Sequence, residues 1–372
     1  MNKNVYNDLI AFHPGYYISD VIEEMDITQE EFAKRLNLTP KHLSEIVNGK
    51  AKVTPEVANK LSVMLDTSIE MWLNLQTKYD VKIAEINARK EMDEQIDIVK
   101  EIDYKFFVDN GFLKSEKIAS IRVKQLCHFF KLASLTTLKR PDLSANFRET
   151  ANAHYEKNII NANAWLEVAS KIGKEKDIKE YNANKLKSYL PEIRSMTTQE
   201  PNQFSHRLEE IFLECGVAFV LLPKMKNAKI NGVVKWFNNS KALVAMNDRM
   251  LYADTFWFSL FHEIMHIFQH KTKQVMISCD EKDIYELNKK YEDEANLFSQ
   301  NYLIDSKDYN EFVSRSFFSK DSVIDFAKHI GIHPGIVVGR LQYDGIIKHN
   351  SMNNLRIKYS ISYTVNKSKK LY

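Results

Sequence analysis

The spacing of apolar and polar residues predicts a chain that is helical over most of its length. Residues 1 to about 80 show short helical periods with close punctuation, as in TQEEFAKRLNLTPKHLSEIVNGK. From Val81 to Asn110 there is neither glycine nor proline, and the charged, heptad-like stretch KIAEINARKEMDEQIDIVKEID predicts one long exposed helix. Helical periodicity continues from about residue 115 to a break near Pro201. We therefore expect a small helical domain over 1–80 and a helical connecting region over 81–200.

The pattern changes after residue 201. The runs GVAFVLLP, INGVVKWF and KALVAMN are short, apolar or β-branched, and bounded by Gly, Pro and Asn, which predicts strands of a small sheet. Helical periods return in FWFSLFHEIMHIFQH, in a segment from about Tyr285 to Ile304, and in short elements near the C-terminus. The fold class expected is mainly α, with a small α+β domain and a C-terminal helical segment over 201–372.

The amino-acid composition argues against several classes of protein. The chain has 372 residues, 44% of them hydrophobic, and only ten glycines and eight prolines, which favours long helices and two or three domains. A formal charge of +3 indicates no general affinity for nucleic acid or membranes, and three distant cysteines fit no disulfide framework. The longest clean apolar run, Val217 to Leu222, is too short to span a bilayer. We expect a soluble, cytoplasmic protein.

The stretch FWFSLFHEIMHIFQH places two histidines and a glutamate in an otherwise apolar helix. His262 and His266 are four positions apart, so their imidazoles lie one turn apart on the same face and can reach one ion. In an H-E-x-x-H segment the histidines bind zinc, and the glutamate, here Glu263, takes a proton from the attacking water. A helix that carries two histidines by chance is the alternative. We favour a zinc site because an acidic helix follows.

A third ligand is expected from KKYEDEANLFSQNYLI, which holds Glu292 and Glu294. These two residues lie on different faces of a helix, so only one of them can face the histidines. We favour Glu294, because Ala295 and Phe298 mark the buried flank near it, and keep Glu292 as the alternative. Three protein ligands leave a coordination position open, as in catalytic zinc sites, whereas a structural site would need four.

Other polar residues are weaker candidates. His270 lies one turn beyond His266, and we expect it to be a cation at a helix C-terminus rather than a ligand. A peptidase also needs a group that stabilises the oxyanion. The candidates for that group are Tyr252, Arg249 and His333.

The two motifs FWFSLFHEIMHIFQH and YEDEANLFSQNYLI together resemble the ImmA/IrrE family of zinc metallopeptidases, whose second motif has the form ExEAxxFA. This chain reads EDEANLFS, with Ser299 in place of the usual alanine. The resemblance implies a gluzincin-like site with His262 and His266 as ligands, Glu263 as base and a glutamate of the second motif as third ligand. It also implies that the strand KALVAMND is a sheet edge on which a substrate peptide lies by strand addition.

The segments TQEEFAKRL and NLTPKHLSEIVNGK predict a helix-turn-helix. Thr28 and Thr39 are the expected N-caps of its two helices, and Gly49 ends the second. The second helix would enter the major groove with its early residues near base edges. The exposed candidates are Thr39, Pro40, Lys41, His42, Ser44 and Glu45. The residues expected in the core are Leu43, Ile46 and Val47. A helical hairpin with no DNA to bind is the alternative.

The charge of this N-terminal segment is unevenly distributed. Residues 1–80 hold eight Lys/Arg and twelve Asp/Glu, a net of −4, which disfavours contact with phosphates. Between residues 34 and 60, however, the basic residues outnumber Glu45 and Glu56. These basic residues are Lys34, Arg35, Lys41, Lys50, Lys52 and Lys60. We expect the DNA-facing surface to be locally basic and to include Lys50.

The stretch from AFHPGYY to WLNLQ resembles the HigA-type antitoxins of the Xre helix-turn-helix superfamily. The shared landmarks are HPG at residues 13–15, TPE at 54–56 and WLNLQ at 72–76. The resemblance implies operator binding as a homodimer, with Gln29 towards the phosphate backbone and Lys41, His42 and Ser44 near bases. The terminal GIHPGIVVGRLQYDGII resembles the last segment of larger proteins that fuse these two families.

Together the two resemblances imply a transcriptional regulator fused to a zinc endopeptidase. Its partners would be operator DNA and a protein substrate, which by analogy is a repressor or an antitoxin. The rival hypothesis is a DNA-binding antitoxin or repressor whose metallopeptidase-like domain binds a toxin or senses a ligand and cleaves nothing.

Overall fold

The computed structural model describes residues 3–140, 153–248, 252–269, 275–278 and 289–359. The chain forms two compact units, 1–96 and 97–372. The predicted fold class, mainly helical with small sheets, is confirmed. The functional domain limits near residues 80 and 200 stay predictions. Within the described ranges, no helix has both the length and the apolar character that crossing a membrane requires.

The N-terminal unit combines an antiparallel hairpin with a bundle of helices. Its elements are β1 (Lys3–Tyr6), β2 (Leu9–Phe12), α1 (Pro14–Glu24), α2 (Gln29–Arg35), α3 (Pro40–Val47), α4 (Pro55–Leu65) and most of α5 (Ile69–Glu101).

Side-chain caps define the two helices of the predicted helix-turn-helix. The Thr28 hydroxyl accepts a hydrogen bond from the backbone N–H of Glu31, and the Thr39 hydroxyl accepts one from His42, both at 3.2 Å. Each cap satisfies an amide that has no partner inside its own helix. After α3 the chain turns at Gly49, whose φ of 71° lies in the region that glycine adopts without strain. The expected starts and end of these helices are confirmed.

The long helix predicted in the charged stretch is α5, which begins earlier than expected, at Ile69, and ends at Glu101. A new helix, α6 (Tyr104–Asp109), follows almost at once. The Asp103 carboxylate accepts a hydrogen bond from the backbone N–H of Phe106 and caps α6. The cap at Asp103 marks a boundary between two helices. No glycine or proline signals this boundary in the sequence, because the stretch contains neither.

The C-terminal unit contains ten α-helices and four strands among its described residues. They are α6, α7 (Ala119–Phe130), α8 (Ala153–Glu175), α9 (Ala183–Ser195), α10 (Pro201–Glu214), β3 (Val217–Leu222), β4 (Gly232–Asn238), β5 (Lys241–Asn247), α11 (Ala253–Gln269), β6 (Val275–Ser278), α12 (Lys289–Leu303), α13 (Ser306–Ser314), α14 (Lys320–Ile330) and α15 (Pro334–Tyr343). The first residues of the helix expected from Tyr285, 285–288, lie outside the described residues.

The four strands form one sheet in the order β3-β5-β4-β6. β5 pairs in parallel with β3 and antiparallel with β4, and β4 pairs antiparallel with β6. The expectation that KALVAMND, which is β5, forms a sheet edge is therefore wrong. Its backbone groups are hydrogen-bonded on both sides, so no peptide can add to it.

The sheet is covered by helices on both faces. Val234 and Val244 point to the face whose core contains the α11 residues Leu260 and Ile264. On the opposite face, a Cβ at Gly173 of α8 would lie 2.9 Å from the Leu243 side chain. α8 belongs to the segment expected to be a connecting region, yet it packs on the sheet. Successive residues of a strand point to opposite faces of the sheet. Because both faces are buried, both sets of residues are mostly apolar, and the strands appear in the sequence as continuous apolar runs.

Candidate metal centre and helix-turn-helix surface

Three side chains from two helices converge inside the C-terminal unit. α11 carries His262 and His266 one turn apart, and α12 packs against α11 with Glu292 facing them. The two Nε2 atoms lie 2.9 Å apart. The Glu292 carboxylate oxygens lie 3.1 Å from His262 Nε2 and 3.4 Å from His266 Nε2. His266 is fully buried, and the other two side chains are nearly so.

The structure brings Glu292, the alternative third ligand, to the histidines. It turns Glu294, the preferred third ligand, away from them. Glu292 shares the buried stripe of α12 with Ala295 and Ser299, at spacings of three and seven residues. Glu294 is exposed, and its carboxylate accepts a hydrogen bond from Gln269 Nε2 at 3.1 Å. Neighbouring residues of a helix are rotated by about 100° around its axis, so Glu294 does not share the face of Ala295. Glu292, three positions before Ala295, does share that face.

Two amide side chains that sequence reasoning missed hold the imidazoles in place. His262 Nδ1 lies 3.0 Å from Asn296 Oδ1, and His266 Nδ1 lies 2.8 Å from Gln269 Oε1. Amide oxygens accept only, so each Nδ1 carries a proton, and each Nε2 presents a lone pair when its ring is neutral. Asn296 lies four residues, or one turn, after Glu292 and therefore on the same side of α12. The sequence signal that could have identified Asn296 is this four-residue spacing from the third ligand.

The donor set fits a divalent cation. Two imidazole lone pairs and a carboxylate that face one another repel unless a positive charge lies between them. In a tetrahedral zinc site with bonds of about 2.1 Å, ligand atoms are about 3.4 Å apart. The separations of 2.9, 3.1 and 3.4 Å between Nε2 and carboxylate atoms are close to that value. The Nδ1 hydrogen bonds are also the outer contacts that metal-binding histidines commonly make.

In the absence of a cation, burial and the contacts among the three side chains set the pKa values of Glu292 and His266. Burial alone would raise the pKa of Glu292, but hydrogen bonds from His262 and His266 outweigh it and lower the pKa to about 2. Burial alone would lower the pKa of His266, but the hydrogen bond to Glu292 and the charges of Glu263 and Glu292 outweigh it and raise the pKa. The metal-free site therefore attracts a proton at the same place as a cation.

Zinc affinity is expected to fall as pH drops below the raised pKa of His266. The pKa of Glu292 is about 2, so this carboxylate stays ionised over the range tested, whereas the raised pKa of His266 lets a proton compete with the ion for that ring. Below the raised pKa of His266 the affinity should fall at least about tenfold for each pH unit, because at least one proton competes with the ion. Competition titrations with a chromogenic chelator between pH 5 and 8 measure this. A flat profile over that range would contradict it.

Glu263 lies at the interface between α11 and the sheet, with 1% of its surface exposed. Its neighbour is Gly232, the first residue of β4, and a Cβ at Gly232 would lie 2.2 Å from Glu263 Oε1. Glycine in a strand often marks close approach of another group. Here it creates the space that the carboxylate occupies, and sequence reasoning did not single it out.

Gly232→Ala is expected to destabilise the C-terminal unit by about 1–3 kcal/mol, because the added methyl overlaps the Glu263 carboxylate. In a protein that already carries Glu263→Ala, the same substitution should have a much smaller effect, since the overlapping atoms are gone. Urea unfolding of the two single variants and the double variant measures the coupling. Additive effects would show that Gly232 serves the strand alone.

The remaining catalytic candidates are not among the converging side chains or lie outside the described residues. Tyr252 is ten residues before His262, about 15 Å along the axis of α11, and packs over Arg356. His333 is the N-cap of α15, where its Nδ1 accepts a hydrogen bond from the backbone N–H of Gly335 at 3.0 Å. Arg249 and His270 lie outside the described residues, as does Cys279.

The predicted DNA-contacting residues of the N-terminal unit all lie at least partly on its surface. Thr39, Lys41 and Lys50 are exposed, and Gln29, His42 and Ser44 are half-buried. The opposite side of α3 is buried, as expected. Its buried residues are Leu43, Ile46 and Val47. α3 therefore presents a continuous polar surface beginning at its N-terminus.

Ion pairs within the unit distinguish two of its basic residues. Lys34, Arg35, Lys52 and Lys60 pair with acidic side chains. Among the described residues, Lys41 and Lys50 have no carboxylate within ion-pair distance. Lys41 lies in the first turn of α3 and Lys50 lies three residues beyond its end, so both positive charges are available to another anion.

Comparison with known proteins matches each unit separately. A family model described as helix-turn-helix matches residues 18–72, and one described as IrrE N-terminal-like domain matches residues 219–342. The uncharacterized HTH-type transcriptional regulator YddM of Escherichia coli (strain K12) is 40% identical over 72 residues, 19% of this chain and 77% of the relative.

Two solved structures resemble a part of the chain. A putative antidote protein of a plasmid maintenance system from Nostoc punctiforme is 31% identical, with 23% of this chain and 92% of that chain covered and a TM-score of 0.22. An addiction module antidote protein of the HigA family from Coxiella burnetii is 30% identical, with 22% and 91% covered and a TM-score of 0.21.

Proposed function

Because the chain belongs to the Xre-type helix-turn-helix family and carries an IrrE-like domain after it, we propose that it is a DNA-binding regulator with a zinc-dependent endopeptidase site. The catalytic half of the proposal rests on one observation: His262, His266 and Glu292 direct their ligand atoms at a single point. The regulatory half rests on α3, whose buried side is apolar and whose polar side carries Lys41, with Lys50 three residues beyond the end of the helix.

The residues of the centre divide the work of peptide hydrolysis. His262, His266 and Glu292 would hold zinc, which when bound polarises the scissile carbonyl and lowers the pKa of the attacking water. Glu263 would take a proton from that water at its carboxylate and deliver it to the leaving amine. Asn296 and Gln269 keep the imidazole rings oriented through their Nδ1 hydrogen bonds. Gly232 leaves room for the Glu263 carboxylate.

The proposed substrate is an internal peptide bond of a regulatory protein, such as a repressor or an antitoxin. An extended peptide can add only to a strand with an open edge. Among the described strands, β6 is terminal on the side of β4, the strand that contacts Glu263. This edge lies closest to the proposed base and is the better candidate for strand addition.

For the N-terminal unit we propose operator binding as a homodimer. The early residues of α3, including Lys41, His42 and Ser44, would reach base edges in the major groove, while Gln29 at the start of α2 would contact the backbone. Thr39 and Lys50, at the two ends of α3, would add contacts to phosphates. Two copies would read half-sites about one helical turn apart.

Lys50→Gln is expected to weaken binding similarly on all DNA sequences and to reduce the salt dependence of log K by about 1, because this lysine would release about one counterion from a phosphate. Lys41→Gln should instead weaken binding mainly on the preferred sequence, because this lysine would reach base edges. Fluorescence titrations at several salt concentrations, on a duplex selected in vitro with the wild-type protein and on an unrelated duplex, measure both effects. Lys328→Gln, at an exposed position in the C-terminal unit, is the control. An unchanged slope for Lys50→Gln and an unchanged preference for Lys41→Gln would place the DNA contact elsewhere.

A regulator that cleaves nothing is the second candidate, and the burial of the centre favours it. Glu263 is 1% exposed and His266 is fully buried, so this conformation gives a peptide little access to the triad. In that case the domain would bind a toxin or sense a ligand. The two candidates differ in what Glu263→Gln changes, since only a peptidase requires a base at this position.

A further inference from the structure

A separate apolar cavity of about 210 Å³ lies among α11, α12 and α15 in the C-terminal unit. Its walls are mainly Phe258, Leu303, Ile304 and Ile336, and Tyr343 stands at its mouth with 73% of its surface exposed. Apolar cavities with an open mouth are typical binding sites for apolar groups. An engineered apolar cavity of about 150 Å³ accepts benzene, so this one has room for a phenyl ring.

Two residues of the cavity wall lie one helical turn from residues of the metal centre. Phe258 lies one turn before His262 on α11, and the two ring centroids are 6.3 Å apart. Gln300 lines the cavity one turn after Asn296, which holds His262 Nδ1. One helical turn is about 5.4 Å, so a side chain attached near the triad can reach the cavity.

The charged groups at the cavity are already paired within the chain. The Asp254 carboxylate lies 2.7 Å from Arg356 Nη2, and Arg340 Nε lies 2.7 Å from the Asp344 carboxylate. An entering cation or anion would have to compete with these pairs and give up its hydration. The cavity therefore favours an uncharged group.

We infer that this cavity receives the side chain of the substrate residue next to the scissile bond, and that it selects large, uncharged apolar side chains. This inference rests on the proposed peptidase function. It assigns substrate selection to Phe258, Gln300 and the apolar ends of α12 and α15, which lie outside both the metal ligands and the proposed base.

The experiment uses zinc-loaded full-length protein and the hydroxamates of glycine, leucine and phenylalanine as probes. The hydroxamate group binds the ion in all three, so differences in affinity report on the side chain. Burial of a leucine or phenylalanine side chain contributes about 1.5–3 kcal/mol, so these probes should bind about 10- to 100-fold more tightly than the glycine probe. Isothermal titration calorimetry measures the series.

Gln300→Trp is expected to fill the cavity and remove this gain, and Thr255→Trp should do so from the opposite wall. Asn301→Trp, on the next and exposed residue of α12, is the matched control and should leave the series unchanged. If the gain persists in both filling variants, or if the wild-type protein binds all three probes equally, the cavity has no role in selection. If the wild-type protein takes up no zinc or binds no hydroxamate, the proposed function itself fails, and the inference fails with it.

Discussion

Glu292→Gln is expected to reduce zinc affinity by at least about 100-fold, whereas Glu294→Gln should change it by less than about tenfold. Loss of outer contacts around metal sites typically weakens affinity by about 10- to 100-fold, and loss of a charged ligand should exceed this range. Glu292 contacts both imidazoles at 3.1 and 3.4 Å. Among the described residues, Glu294 contacts Gln269, which in turn holds His266.

The pair of variants is well matched, because the same chemical change is made two residues apart on one helix. Zinc content after dialysis and competition titration against a chelator measure the affinity, and circular dichroism checks that α12 remains folded. Equal losses in both variants would show that the charge of the helix, not the position of one ligand, governs binding. Loss in Glu294→Gln alone would restore the assignment favoured from the sequence.

Glu263→Gln is expected to reduce peptide cleavage by about 10²- to 10⁴-fold, the range over which a positioned general base acts. Zinc content and DNA affinity should stay at wild-type values, because Glu263 is not one of the three converging ligands and lies outside the N-terminal unit. The glutamine amide fills the same space beside Gly232 but cannot take up a proton from water.

Mass spectrometry of new N-termini, after incubation of zinc-loaded protein with a host-cell extract, identifies cleaved proteins and compares the rates of the two forms. A variant that cleaves at the wild-type rate would remove Glu263 from the reaction. If the wild-type protein cleaves nothing, and Glu263→Gln leaves repression and toxin neutralisation unchanged, the regulator without proteolysis is the correct description.

Local signals in the sequence were sufficient for much of the fold. The caps at Thr28 and Thr39 and the strand-forming runs depend on a few neighbouring residues, and the structure has them where the sequence indicates. The four-residue spacing of His262 and His266 likewise fixes their shared face of α11. These features need no knowledge of tertiary packing.

The features that differ from prediction are those set by contacts between distant parts of the chain. The choice between Glu292 and Glu294 depends on which face of α12 packs on α11. The position of β5 in the middle of the sheet depends on strand order, which a single strand does not reveal. Gly232 became visible as a site residue only once α11 lay across β4.

The packing of α8 on the sheet has a consequence for how this architecture can be inherited. The region that matches the IrrE-like family, 219–342, includes the strands β4 and β5 but not α8, which shields their other side. Trp165 of α8 also donates a hydrogen bond to the backbone carbonyl of Pro223 at 2.9 Å. Transfer of the matched region alone would therefore leave this face of the sheet without α8, and we expect a domain cut at residue 219 to need this helix or another cover to stay folded.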